Sequence, residues 1–382
     1  MAPFRVGIVG SGVSSIYLVS NLLKKVPDAL IDIFESQKFP YGLLRTSVSP
    51  KSSEFKSIIA RFDQTLKSTN VNLYLDSDID ASNIQQLSAK YNAVVVATGG
   101  GKARRLPNVR YNRSTVISSD DFTQWYNGFA ELNLPKKECP VVCIIGYGNV
   151  ALDVASYFMS KYSETKHIPY SKAAKNYLRS IGSSNAIIIG RKLIANSSFT
   201  LSELRSFALE HNPKLICDNQ NAADPKTRCI VSNSIEGSKG KLLSNTEIIA
   251  VEDSLDGCLV KLRSLDSVST IYADIIITCL GFESSTGISA LKTGWALTGK
   301  GNIANSSMTS SQVSDILAKM KSQGYDILQE PTVEYKSSSK YNWLYHSACE
   351  EVAGSLDGTF RSVIHTKETE DYLFKTMRMW DS

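Results

Sequence analysis

The chain writes the same short device twice. "VGIVGSGVSSIYLVS", Val6 to Ser20, and "CIIGYGNVALDVASY", Cys143 to Tyr157, each run from an apolar stretch through two glycines one residue apart into a helix-like pattern. Few folds accept such a segment. The first glycine permits a tight turn, the second lets a diphosphate approach the backbone, and a small third residue lets the helix pack closely on the strand. The helix N-terminus then favours the anion. The three positions are Gly10, Gly12 and Ser15 in the first copy, and Gly146, Gly148 and Ala151 in the second. Ala is an accepted third residue, whereas Ser departs from the pattern.

The flanking residues extend each device into a βαβ unit. Strands are expected at Arg5–Gly10, Ala29–Ser36, Asn70–Leu75 and Asn92–Gly99, with a helix from Ser14 to Lys25. A second set follows: a strand over Val141–Gly146, a helix over Asn149–Lys161, a polar helix-prone insertion from Tyr162 to Ser184, and a strand over Asn185–Lys192. A β-hairpin is expected around Asp256-Gly257 and a buried strand over Ala273–Phe282. The fold class this implies is α/β, with two three-layer, Rossmann-like dinucleotide-binding domains.

The ends of the second strands differ in charge. Glu35 closes the first unit about 20 residues after its loop, where an acid accepts a ribose 2′-hydroxyl. Arg191 and Lys192 close the second, and two cations there attract a 2′-phosphate that an acid would repel. The expectation is therefore FAD at the first loop and NADPH at the second. The plainer alternatives are chance glycines in a strand–turn–helix and a solvated basic strand end.

Composition narrows the class. The 382 residues suffice for two to three domains, and net charge +5 gives no reason to expect nucleic acid. No apolar run reaches the ~20 residues of a membrane span. The cysteines, Cys139, Cys143, Cys217, Cys229, Cys258, Cys279 and Cys349, are odd in number and scattered, with no CxxC pair. A disulfide framework, a metal site and a dithiol relay are therefore not expected. No leader is expected ahead of the strand at Arg5, so either the chain stays where it is made or a leader has been removed.

Several further stretches carry a family resemblance. They are "FPYGLLR" (Phe39 to Arg45), "WYNG" (Trp125 to Gly128), "GYGNVALDVA" (Gly146 to Ala155), "GRK" followed by "FTLSELR" (Phe199 to Arg205), "GW" at Gly294-Trp295 followed by "GNI" (Gly301 to Ile303), and "NWLYHSACEEVA" near the C-terminus. In these the chain resembles the adrenodoxin reductase (ferredoxin–NADP⁺ reductase) family of flavoproteins. The resemblance implies an NADP domain inserted into a split FAD domain, with boundaries at 1–101, 102–283 and 284–382. It implies FAD contacts at Gly10, Gly12, Ser14, Glu35, Leu43, Ile79, Trp295, Gly301, Asn302 and Ile303. It implies NADPH contacts at Gly148, Asn149, Val150, Arg191, Lys192, Glu203 and Gly301, with Glu203 and Trp295 near the nicotinamide and flavin.

The implied activity is electron transfer from NADPH through FAD to a small acidic [2Fe–2S] ferredoxin, with no metal and no nucleophile in the reductase. Lys24, Lys25 and Arg205 fall where the family puts basic contacts to that partner. The alternative is a degenerate homologue that binds NADP(H) or a partner without turnover. Eukaryotic members of the family are mitochondrial, which makes a mitochondrion, or an organelle derived from one, the expected location and the cytoplasm the alternative. The chain departs from the family at Ser14 and Ser15. It also departs at "TSVSPKSS" (Thr46 to Ser53), which lacks the family's acid–histidine pair, and in the short link from Ser284 to Thr293.

Overall fold

The computed structural model describes residues 3–324 apart from 53, 108, 110–113, 217–222, 265–266, 284–289, 299–300 and 302. Asn302, "KSSSK" (Lys336 to Lys340) and the stretch Asn342–Ala353 lie outside the described residues.

The first stretch runs β1 (Arg5–Val9), α1 (Val13–Lys25), β2 (Leu30–Phe34), α2 (Leu43–Thr46), α3 (Glu54–Leu66), β3 (Val71–Tyr74), α4 (Ala81–Ser88) and β4 (Ala93–Val96). The second begins β5 (Val116–Ser118), α5 (Ser119–Tyr126), β6 (Val141–Ile145), α6 (Asn149–Met159), α7 (Tyr162–Thr165), α8 (Lys172–Ile181) and β7 (Asn185–Ile189). It continues through a 3₁₀ turn at Ile194–Asn196 to α9 (Leu201–His211), β8 (Lys214–Ile216), α10 (Pro225–Val231), β9 (Gly240–Leu243), β10 (Thr246–Ser254), β11 (Gly257–Ser264), β12 (Ser267–Ala273) and β13 (Ile275–Thr278). The third supplies β14 (Leu291–Lys292), α11 (Trp295–Thr298) and α12 (Ile303–Ser322).

These elements form two compact units. One lies within Met1–Val48, Ser52–Lys102 and Phe282–Ser382, the other within Ser49–Lys51 and Ala103–Gly281. In the first unit a parallel sheet has the order β14-β4-β1-β2-β3. Strand β1 therefore sits where the winding reverses, between β2 on one side and β4 on the other. Loops diverge at such a switch point and leave a crevice at the carboxyl ends of the strands. The second unit repeats the plan in a six-stranded parallel sheet, β5-β13-β6-β7-β9-β8, with β6 at the switch point.

The central strands are near-continuous apolar runs because both faces of each sheet are covered, by helices on both faces in the first unit and, in the second, by helices on one face and the antiparallel strands β10–β12 on the other. Strand β13, "IIIT", is buried at every residue. Helix α1 turns Ile16, Leu18, Val19 and Leu22 inward, all fully buried. At roughly 2 kcal/mol for each such side chain, its packing far outweighs its helical propensity. Polar groups enter the core with partners in place. Asp32 in β2 is nine-tenths buried and accepts from Tyr91 Oη at 2.7 Å and Asn72 Nδ2 at 2.8 Å.

One expectation is extended and one corrected. The hairpin around Asp256-Gly257 forms as β10 and β11, and β12 pairs with β11 along Ser267–Ala273 to make a three-stranded antiparallel sheet. That segment is exposed over its first four residues and gives no alternating apolar signal. The strand expected to reach Lys192 stops at Ile189, because Gly190 packs so tightly on Tyr147 that a Cβ would lie 2.3 Å from its ring. Arg191 and Lys192 thus fall in the loop beyond the strand, both exposed.

Candidate functional site

The two glycine loops solve one steric problem in the same way. Gly10 has φ of 99°, and a Cβ there would stand 2.6 Å from the Ala97 carbonyl oxygen just past β4. Gly146 has φ of 138°, and its Cβ would stand 2.2 Å from the Cys279 carbonyl oxygen just past β13. Each is a left-handed turn pressed against the neighbouring strand of the switch point, which only glycine accommodates. The second glycine of each pair has the opposite character. Neither Gly12 nor Gly148 has an atom within 4 Å of where a Cβ would sit.

Those open faces lie at helix starts. Gly12 and Gly148 are the N-caps of α1 and α6, and neither gives a side-chain hydrogen bond to the helix N–H groups. Helices α4, α5, α8, α9 and α10 are capped by the side chains of Asp80, Ser118, Ser171, Thr200 and Asp224. Uncapped N–H donors at the positive end of a helix, fronted by a bare glycine, form an anion cradle. Both cradles fit the diphosphate of a dinucleotide.

In the first unit Glu35 stands beside the cradle, 7% exposed. Its Oε2 accepts from Ser11 N at 2.9 Å and Ser11 Oγ at 2.6 Å, and its Oε1 from Gln37 N at 2.9 Å. The second acceptor place on Oε1 holds only a 3.3 Å contact from Ser36 Oγ, the weakest of the four and the one a ribose hydroxyl would take over. Gly42, at the start of α2, lies with its Cβ direction 3.6 Å from Gly12 Cα, so half-buried Leu43 enters the same place. Ile79 is 8% exposed in a cluster with Val96, Tyr91 and Ala296.

The return of the chain completes this unit. Trp295 opens α11 and packs 6.0 Å from the Phe282 ring. The glycine run passes it closely: a Cβ on Gly100 would meet Phe282 at 2.7 Å and Trp295 at 3.4 Å. Gly301, with φ of 146°, lies with its Cβ direction 3.3 Å from Trp295 Nε1. Ile303 begins α12 and packs on the core that contains Ile16. The structure therefore draws Gly10, Gly12, Ser14, Glu35, Ile79, Trp295, Gly301 and Ile303 into one unit.

In the second unit Asn149 ties the loop to α9, since its Oδ1 accepts from Thr200 N at 2.9 Å. Ser198 N donates to the Tyr147 carbonyl at 2.8 Å, and the Tyr147 and Phe199 rings lie 5.1 Å apart. Val150 is 39% exposed, at the first turn of α6. Glu203 is exposed on the first turn of α9, close enough to the half-buried Asp153 to act on it electrostatically. Burial, then Glu203, pushes the Asp153 carboxyl up to about 7, while Lys51 pulls it down. Lys51, from the segment that lacks an acid–histidine pair, forms an ion pair with Glu210.

Some of this was not expected from sequence. Tyr41 has φ of 80°, costly for a residue with a bulky side chain, and donates its N–H to Ser11 O at 3.0 Å. Its hydroxyl is held by Asp63. Only the adjacent "YG" pair hinted at a turn. Ser15 is fully buried and its Oγ has no hydrogen-bond partner among the described residues. The basic contacts separate. Lys24 and Arg205 are exposed, but Lys25 Nζ is bound to Asp315 at 2.7 Å and Ser314 Oγ at 2.7 Å. Among the described residues there is no cluster able to hold a metal ion, and no helix is long and apolar enough to cross a membrane.

A family model described as pyridine nucleotide-disulphide oxidoreductase matches residues 4–318. The mitochondrial NADPH:adrenodoxin oxidoreductase of Bos taurus is 33% identical over 204 residues, covering 53% of this chain and 42% of that protein. The NADPH-ferredoxin reductase FprA of Mycobacterium tuberculosis is 30% identical over 218 residues, covering 54% of this chain and 47% of that one. The chain thus matches less than half the length of these curated relatives. A solved structure of FprA superposes with TM-score 0.80 at 19% identity, over 94% of this chain and 97% of that one, and shows the shared two-Rossmann fold.

Proposed function

Because the chain belongs to the pyridine nucleotide-disulphide oxidoreductase family, and its sequence similarity lies with the adrenodoxin reductase type, we propose that it is an FAD-dependent reductase that takes electrons from NADPH and delivers them to a small acidic [2Fe–2S] ferredoxin. One observation carries the reading. The two open cradles at Gly12 and Gly148 are flanked by opposite charge, Glu35 in the first unit and Arg191-Lys192 in the second. An acid accepts ribose hydroxyls and two cations take a 2′-phosphate, so FAD goes to the first and NADPH to the second. The domain division at 1–101, 102–283 and 284–382 is proposed from the family resemblance, and the partition of the chain into two compact units supports it.

When bound, such a flavin accepts a hydride and hands electrons on singly. The chain's own residues bind and orient. The N–H groups of α1 and α6 hold the diphosphates, and Glu35 fixes the ribose. Arg191 and Lys192 select the dinucleotide that carries a ribose 2′-phosphate. Trp295, braced by Phe282 and the Gly99–Gly101 run, walls the flavin end. No CxxC pair exists, which argues against a dithiol relay of the thioredoxin-reductase kind.

The alternative, binding NADP(H) without turnover, has less support because both cradles are open and both charged flanks are present. Lys24 and Arg205 are the proposed contacts to the acidic partner, with Lys25 already occupied by Asp315. A mitochondrial location, or one in an organelle derived from a mitochondrion, is proposed by likeness to relatives whose names carry it.

The test is the visible spectrum of the purified chain before and after anaerobic NADPH. Flavin bands that bleach with NADPH far more readily than with NADH, followed by ferredoxin-dependent cytochrome c reduction, are expected. A colourless chain that takes up no added FAD sinks the proposal.

A further inference from the structure

Helices α1 and α12 come from opposite ends of the described chain and pack side by side. Ser14 lies against Ser310, Lys25 against Ser314 and Asp315, and Asp28 against Lys321. The pairs advance together along α1 and the turn after it and along α12, so the helices run parallel and both N-termini point the same way. Between those ends sits the Thr293-Gly294-Trp295 turn, and hydroxyl groups rather than apolar side chains hold it.

The network is dense and almost wholly buried. Thr309 Oγ1 accepts from the Gly294 N–H at 2.9 Å, and Thr293 Oγ1 lies 3.4 Å from Thr309 Oγ1 and 3.1 Å from Ser310 Oγ. Ser310 Oγ reaches the Ser14 carbonyl at 2.8 Å, across 296 residues of sequence. Thr293, Thr309 and Ser310 are 0%, 4% and 0% exposed. Gly294 itself is in the left-handed region, with φ of 60°, and a Cβ on it would fall 1.8 Å from Ser14 Oγ. The turn is thus pinned from two sides: by α12 through its N–H, and by α1 through the absence of a side chain.

We propose that Thr309 and Ser310 are positioning residues for the flavin end of the first unit. They fix the Gly294 turn and so set where Trp295, the next residue, stands relative to the glycine cradle of α1. This rests on the FAD assignment made above. A hydroxyl suits the task because it both accepts from a buried backbone N–H and donates to a helix carbonyl. Thr309 also bonds to the carbonyls of Asn305 and Ser306 at 3.1 Å each, which locks its rotamer. A residue of the same shape without the oxygen leaves the Gly294 N–H buried and unpaired.

The experiment compares Thr309→Val with Thr309→Ser in the full chain. Thr309→Val is expected to weaken FAD binding to the apoprotein by roughly tenfold or more, and to shift the visible band shape and midpoint potential of the bound flavin. Thr309→Ser is expected to restore all three toward wild type, because it returns the acceptor. NADPH binding by the second unit stays unchanged in both. A Thr309→Val chain with wild-type FAD affinity and spectrum overturns the proposal, and so do Val and Ser variants impaired equally. Amide exchange over Thr293–Trp295 in the apoprotein supplies a readout free of cofactor. Faster exchange in Thr309→Val than in Thr309→Ser supports the clamp, and equal exchange refutes it. A wild-type chain that binds no FAD refutes the assignment above, and the exchange comparison then decides the clamp alone.

Discussion

Replacing Ser15 by alanine should make this protein more stable. Ser15 stands where the phosphate-loop pattern asks for glycine, on the first turn of α1, fully buried and with its hydroxyl unpartnered among the described residues. A buried donor left without a partner costs about 1–3 kcal/mol. Alanine keeps the Cβ, drops the oxygen and adds a few tenths of a kcal/mol of helix propensity. The void left behind is one oxygen, smaller than a methyl group, and takes back part of the gain. The net expectation is a stabilisation of roughly 1–2 kcal/mol, or about 3–6 °C in melting temperature for a unit of this size. Ser15→Gly separates two explanations. It removes the same oxygen but costs about 1 kcal/mol in a helix relative to Ala, so it should fall near wild type. The assay is thermal unfolding of the apoprotein, with native-state amide exchange along β1 to confirm that the change lies in the first unit. An alanine variant no more stable than wild type would show that the hydroxyl is satisfied, by a buried water for instance. A glycine variant better than alanine would show crowding against β1 rather than an unmet donor.

Three other outcomes are expected. Gly148→Val should weaken NADPH binding by tenfold or more while leaving the melt intact, because the new side chain enters open space in the cradle; loss of the fold would refute the cradle. Arg191→Ala and Lys192→Ala should each reduce the preference for NADPH over NADH by roughly tenfold, the worth of one charge-assisted contact, read from the two dissociation constants; an unchanged ratio would show that the 2′-phosphate is held elsewhere. Asp153 should oppose stability as pH rises, because its folded-state value of about 7 lies above the 3.8 of an ordinary aspartate. The native state then binds the extra proton, and stability falls as pH climbs between those values. The full shift is worth about 4 kcal/mol, which half-burial trims to about 1–2. Asp153→Asn should therefore gain that much on wild type between pH 5 and pH 8 in urea melts, and a pH-independent difference would sink the argument.

What could be read from the sequence depended on whether the physics marks residue type. The two βαβ units were legible because buried parallel strands must be continuous apolar runs, and the switch-point turns because Gly10 and Gly146 press their missing Cβ atoms against backbone oxygens. Strand β12 was not, since its sheet leaves it mostly exposed and removes the alternation that marks a half-buried strand. The Thr293, Thr309 and Ser310 network was invisible for a different reason. Serine and threonine look like surface residues in a sequence, and only the parallel approach of two helices nearly 300 residues apart converts them to core. Lys25 read as a free surface cation because its partner, Asp315, lies on the other helix of that pair.

That long-range helix pair bears on how the protein is made. The core around Ile16 and Leu22 includes Val313 and Leu317, so the first unit has no finished interior until α12 exists. The second unit, apart from Ser49–Lys51, is contiguous from Ala103 to Gly281. On a ribosome adding about 5–20 residues per second, the first hundred residues wait on the order of 10–40 s for their closing helix, while the second unit has its own strands and helices in hand. The N-terminal sheet spends that interval with its α12-facing surface bare, and that is when a chaperone has most to hold.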